Sequence, residues 1–176
     1  QGLLYLATNL KKNNLDVDIW DANNFYENNL RTLDSDEICE NIEINLNTRL
    51  DKFKPDLVGI TSTILSYDAA LETAKELKKL GFKIVIGGPH FTSVPEKVMQ
   101  EECFDFGVIG EGEETMLELC NNLFQKKLNQ KQGDFSKING LVYRENEEIK
   151  INKRRELIKN LDELPFPALH LYPDLK

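Results

Sequence analysis

Residues 84–90 read Ile-Val-Ile-Gly-Gly-Pro-His and indicate the fold more clearly than any other part of the chain. Three consecutive apolar residues predict a buried strand of a parallel sheet, and the glycines end it in a tight loop before a helix. Gly110–Thr115 repeats this arrangement after the apolar run Phe106–Ile109, and Thr61–Thr63 follows the apolar run Leu57–Ile60. Open α/β domains bind ligands at the carboxyl ends of parallel strands, so the three loops predict one shared site.

Helical patterns alternate with these strands. A short helix begins at Pro95, and Val17–Ala22 alternates apolar and polar residues as a further short strand. Strands that alternate with helices of this length predict βαβ units and a doubly wound parallel sheet. The longer helical patterns cover residues 3–10, 38–53, 69–80 and 115–124.

The composition changes near residue 127. Residues 128–137 are polar and without periodicity, and 141–151 read as a β-hairpin, which cannot belong to a parallel sheet. Because the chain begins at Gln1 and ends in a proline-rich run, we expect it to be cut at both ends. The predicted parts are an α/β domain over 1–127, a loop and hairpin appendage over 128–160, and a linker over 161–176.

The composition excludes several classes of protein. The 176 residues are 40% hydrophobic and 30% charged, which is typical of a globular protein. A net charge of −8 argues against nucleic acid as a partner, and no apolar run approaches the ~20 residues of a membrane span. The cysteines Cys39, Cys103 and Cys120 are few, scattered and odd in number, which predicts a reducing, cytoplasmic location and no metal or iron–sulfur site within this chain.

The loops predict a binding site without a nucleophile, so we expect no catalytic residue in this chain. Glycines let a ligand approach the backbone closely, and hydroxyls and free N–H groups can hold its polar edge. Tight turns, helix capping and the helix dipole explain the same residues without a ligand, and Gly110–Thr115 does not satisfy the dinucleotide fingerprint. The candidate cofactor-binding residues are Thr61, Ser62, Thr63, Gly87, Gly88, Pro89, His90, Gly110, Glu111, Gly112, Glu113 and Thr115.

Five motifs in this order resemble the cobalamin-binding domain that precedes the catalytic barrel in cobalamin-dependent radical SAM proteins. The resemblance is to the methyltransferase and magnesium-protoporphyrin oxidative cyclase types, and it covers essentially the whole chain. The matching segments are Gly2–Ala7, Pro55–Thr61, Gly87–Thr92, Gly110–Thr115 and Leu161–Pro167.

The resemblance implies a flavodoxin-like fold that binds cobalamin at the carboxyl ends of its strands, with the nucleotide tail between strand and helix. It implies that no histidine of this chain ligates cobalt. It also implies that the [4Fe-4S] cluster and S-adenosylmethionine belong to a barrel outside this chain, which would be its partner. The fragment alone would not be catalytic.

The family's first strand is not found in this sequence, which predicts a gap between the strands at 17–20 and 57–60. We expect either that these two strands pair directly, or that the 141–151 hairpin or a second copy of the chain fills the gap. Two other functions stay open from the sequence. One is a flavodoxin-like regulatory or interaction domain without a cofactor, and the other is half of a nucleotide-sugar enzyme.

Overall fold

The computed structural model describes residues 2–21, 45–129, 134–158, 166–167 and 169. One sheet contains the strands β1 (Val58–Thr61), β2 (Ile84–Gly87), β3 (Phe106–Val108), β4 (Leu141–Glu145) and β5 (Glu148–Ile151), in that spatial order. The helices are α1 (Gly2–Lys12), α2 (described over 45–53), α3 (Tyr67–Lys79), α4 (Pro89–Ser93), α5 (Pro95–Val98) and α6 (Glu113–Asn129). A 3₁₀ turn covers Phe135–Lys137.

The predicted α/β fold is confirmed. β1, β2 and β3 are parallel, and helices cover both faces of the sheet. α1 packs against α6 on one face, and α3, α4 and α5 lie on the other. α6 starts two residues before the predicted Thr115 and extends to Asn129, beyond the predicted start of the polar loop. The part of the predicted 38–53 helix that precedes residue 45 lies outside the described residues.

The prediction that the hairpin stands apart from the sheet is wrong. β4 pairs antiparallel with β3, and β5 pairs antiparallel with β4. The outer edge of β3 offers backbone groups that need partners, and the buried side chains of Leu141 and Val142 extend the core across it. The two-residue turn at Asn146 and Glu147 has φ of 50° and 68°, as a type I′ hairpin requires.

The predicted strand at Val17–Ala22 is also corrected. Residues 15–21 form no helix and join no strand of the sheet, and Ala22 lies outside the described residues. Ile19 packs instead on α1 beside Leu4 and Ala7. Arg49 of α2 holds the segment by donating to the Asp18 carboxylate over 2.9 Å.

No described residue fills the gap beside β1. Val58 and Ser62 donate their backbone N–H groups to β2 (Lys83 O and Gly87 O), so the N–H and C=O groups of Gly59 and Thr61 face the other way. No hydrogen bond to these two residues forms within the described part of the chain. The predicted direct pairing is therefore wrong, and the hairpin lies at the opposite edge of the sheet.

None of the helices in the described ranges is both long and apolar enough to cross a membrane.

Candidate functional site: a cleft at the carboxyl ends of β1, β2 and β3

The three predicted loops meet at one edge of the sheet. In the register of the parallel strands, Thr61 lies beside Gly87 and Ile86 lies beside Gly107, so the loops leave the sheet at nearly the same level. A cleft of about 1820 Å³ extends from these loops along the open side of β1. The segment 15–21 and helix α2 form its far wall.

Nine of the twelve candidate residues line this cleft, and three do not. Those that line it are Thr61, Thr63, Gly87, Gly88, Pro89, Gly110, Glu111, Gly112 and Glu113. Those outside it are Ser62, His90 and Thr115.

Each of the three excluded residues has a structural partner or position that explains its place. Ser62 directly follows β1, is buried, and donates its backbone N–H to Gly87 O over 3.3 Å. The His90 ring lies on Tyr67 with ring centroids 4.5 Å apart. The Thr115 hydroxyl donates to Asn139 O over 2.8 Å and is fully buried.

Gly88 is required by the turn itself. Its φ is +96°, and a Cβ built there would lie 2.6 Å from Thr61 Oγ1 and 2.8 Å from Ser62 O. Any side chain at position 88 therefore collides with the β1 loop before it reaches the cleft. This glycine joins the first two loops, so replacing it tests the fold more than ligand binding.

The structure also places residues in the cleft that sequence reasoning missed. Leu6 and Leu10 of α1 and Met116 of α6 form part of an apolar floor, and Trp20 lies on the far wall. Helical periodicity gave the inward face of α1, but nothing in the pattern said that this face borders a ligand site. Thr92 was missed too: its Oγ1 accepts a hydrogen bond from Gly110 N at 3.0 Å and so ties the second loop to the third.

The electrostatics of the cleft favour hydrogen bonding over metal ligation. Glu113 Oε2 is buried and accepts no hydrogen bond from any described residue. Burial raises the pKa of the Cys120 thiol to about 11, so it stays protonated at neutral pH. Histidine is absent from the described residues that line the cleft, and those residues hold no cluster of three metal-ligating side chains.

The family follows from a comparison of the sequence with family models. Residues 1–120 match the model of the B12-binding domain. The chain belongs to this family.

Known proteins agree with this assignment. The B12-binding domain is 39% identical over 127 residues to PH0819 of Pyrococcus horikoshii, described as an uncharacterised methyltransferase. The match covers 70% of this chain and 26% of that protein.

Solved structures share the fold. The radical S-adenosylmethionine methyltransferase TsrM of Kitasatospora setae superposes with a TM-score of 0.66 at 21% identity, over 88% of this chain and 27% of TsrM. The cobalamin-dependent S-adenosylmethionine radical enzyme OxsB superposes with a TM-score of 0.54 at 21% identity, over 72% of this chain and 17% of OxsB. The chain thus spans about a quarter or less of the length of PH0819, TsrM and OxsB.

The cleft fits the cofactor that gives the family its name. Its volume exceeds the ~300–1,000 Å³ usual for drug-sized ligands, as a corrin ring with a nucleotide tail requires. The apolar floor suits the flat ring, and the unpartnered Glu113 oxygen suits the amide or hydroxyl donors of such a cofactor.

Proposed function

We propose that this B12-binding domain holds cobalamin in the cleft through the loop residues that line it. The observation that carries the proposal is the convergence of three glycine-containing loops on one large cleft. When bound, cobalamin supplies a cobalt centre for methyl-group or radical chemistry.

The roles of the lining residues follow from their positions. Gly87 and Gly112 leave room for close approach, and the exposed hydroxyls of Thr61 and Thr63 offer hydrogen bonds at the rim. Glu113 accepts a hydrogen bond from the cofactor. The side chains of Val85 and Val108 on the sheet keep water from the underside of the ligand.

Trp20 supplies a direct test because it is the only tryptophan of the chain and lines the cleft. Titration with hydroxocobalamin should quench its fluorescence to saturation at one equivalent. Free N-acetyl-tryptophanamide controls for absorption of the exciting light. Quenching no greater than that of the free amide would contradict the proposal and favour a cofactor-free regulatory domain or a nucleotide-sugar enzyme.

Two variants of Gly87 locate the site. A Cβ at this position would lie 3.8 Å from Val108 O, an ordinary contact, so Gly87→Ala should bind like the parent. Gly87→Leu fills part of the cleft and should raise the dissociation constant at least tenfold. Equal affinity of Gly87→Leu and Gly87→Ala, with both variants folded, would place the cofactor elsewhere.

We further propose that the domain presents cobalamin to a radical SAM barrel of the same longer protein, which holds a [4Fe-4S] cluster and S-adenosylmethionine. The shared fold with TsrM and OxsB and the small fraction of each that the chain spans support this. The division at residues 160/161 belongs to the same proposal. A division at 127/128 would cut α6 and separate β4 from β3, so the hairpin is counted with the α/β domain. Iron analysis and S-adenosylmethionine cleavage by the longer protein test it.

The edge of β1 has no partner strand among the described residues, which supports a dimer in which a second copy fills the gap. Light scattering across micromolar concentrations tests it, and a monomer throughout that range would contradict it.

We also place the protein in the cytoplasm, a proposal supported by the free thiols of Cys103 and Cys120.

A further inference from the structure

We propose that Arg155 is a positioning residue that holds the 110–115 loop in its binding geometry and couples residues 152–158 to cofactor binding. The coupling rests on the proposed function. No residue of 152–158 lines the cleft, so any effect of this segment on binding must act through the loop.

Arg155 is the centre of a network on the outer side of this loop. Its guanidinium donates to Thr115 Oγ1 over 3.1 Å, to Glu114 Oε2 over 2.7 Å and to Glu118 Oε2 over 2.5 Å. Its side chain is only 16% exposed, although the partner side chains of Glu114 and Glu118 are 60% and 44% exposed, so the guanidinium is the shielded member of each pair. Arg155 thereby fixes the first turn of α6, where the loop ends.

A second contact reaches the loop itself. Ile158 donates its backbone N–H to Glu111 Oε2 over 2.7 Å, and Glu111 is one of the residues that line the cleft. Glu111 therefore lines the cleft and also binds the backbone of residues 152–158, the segment that follows the hairpin.

The start of the segment is anchored independently. Asn152 donates its side-chain amide to Phe135 O and Ile138 O, and Gly140 N donates to Lys153 O. With one end fixed on the sheet and the other on Glu111, the segment cannot move without moving the loop. The order of the segment and the binding of a ligand to the loop are then coupled. Because such coupling is reciprocal, a ligand that orders the loop must also order the segment, with the same coupling free energy.

The neighbouring arginine provides a matched control. Arg154 is exposed and forms no hydrogen bond or ion pair with any described residue. Arg154→Ala therefore removes the same charge and leaves the hydrogen bonds and ion pairs of Arg155 intact. We expect Arg155→Ala to raise the dissociation constant for hydroxocobalamin at least fivefold, and Arg154→Ala to stay within twofold. Circular dichroism and the melting temperature verify that both variants fold.

Amide hydrogen exchange distinguishes coupling between the segment and the ligand from a purely structural role of Arg155. In the parent, saturating hydroxocobalamin should slow amide exchange at 153–158, although this segment does not touch the ligand. Without ligand, Arg155→Ala should speed exchange at 110–112 while β2 and β3 keep parental rates. If Arg155→Ala fails to fold, Arg155→Lys replaces it, since lysine keeps the charge but cannot reach all three acceptors.

Unchanged affinity of the Arg155 variant together with unchanged exchange at 153–158 on binding would overturn the proposal. Failure of the parent to bind hydroxocobalamin would instead contradict the proposed function. The ligand-free exchange at 110–112 would then still decide whether Arg155 positions the loop.

Discussion

The ring of Phe91 lies directly on the backbone of Gly107. A Cβ on Gly107 would be 2.0 Å from Phe91 Cζ, and both ring Cε atoms would be within 2.7 Å. Phe91 belongs to α4, the short helix after the second loop, and is fully buried. The absence of a side chain at position 107 thus lets α4 sit on β3 and sets the height of the loop above the sheet.

Gly107→Ala should lower the free energy of unfolding by about 2 kcal/mol or more, because neither the strand nor the buried ring can move freely. Gly59→Ala is the matched control: its Cβ would meet only Val85 Cγ1, at 3.8 Å, and should change stability by less than about 0.5 kcal/mol. Urea denaturation measures both. A Gly107→Ala protein as stable as Gly59→Ala would show that the ring does not constrain this position.

Glu113→Ala should separate binding from stability. Because Oε2 of Glu113 has no partner among the described residues, its removal should change the free energy of unfolding by less than about 0.5 kcal/mol. Loss of the acceptor should weaken hydroxocobalamin binding about tenfold or more, as expected for a hydrogen bond to a charged group. Glu113→Gln keeps an acceptor oxygen and should retain most of the affinity. Full affinity of Glu113→Ala would remove Glu113 from the site.

His90→Ala should leave the absorption spectrum of bound cobalamin unchanged. The histidine lies on Tyr67 outside the cleft, so it is not placed to ligate cobalt. Loss of the ring pair should cost about 0.5–1.5 kcal/mol of stability. A shift of the cobalamin spectrum in this variant, at full saturation, would mean that His90 reaches the metal or orders its ligand.

Cys120 makes stability depend on pH in the alkaline range. Burial raises the pKa of its thiol from 9.0 to about 11, so the unfolded chain loses this proton at lower pH than the folded protein does. The stabilisation is therefore fully present below pH 9 and is lost as the pH rises from 9 to 11, by about 3 kcal/mol. The unfolding free energy of Cys120→Ala, measured beside the parent, should lack this decline. Parallel curves for the two proteins would contradict the pKa shift.

Local patterns were sufficient for the parallel part of the sheet. The apolar runs that became β2 and β3 are buried on both faces of the sheet, as runs of consecutive apolar residues predict, whereas β1 alternates between partly buried and exposed residues. The loops at Gly88 and Gly110 followed in the same way, since their φ values of +96° and +78° favour glycine. The helical periods of α1, α3 and α6 were found with errors of only a few residues at the ends.

Contacts between distant residues decided the rest. The hairpin pairs with β3 because the backbone groups at the edge of β3 need hydrogen-bond partners. The sequence of the hairpin does not show which edge it will join. The segment at 15–21 stayed out of the sheet, where Arg49 and α1 hold it. An alternating pattern predicts which residues face inward but not what they face.

The sequence by itself determined the fold class, the family and the edge of the sheet at which the cleft lies, because these depend on apolar runs and glycines that act locally. Only the tertiary structure decided which loop residues line the cleft. Ser62 is buried just beyond the end of β1, His90 packs on Tyr67, and Arg155, forty residues from Thr115 along the chain, donates to its hydroxyl. Side-chain direction and partner are set by packing across the whole domain, so residues that adjoin in one motif separate into residues that line the cleft and residues that support its loops.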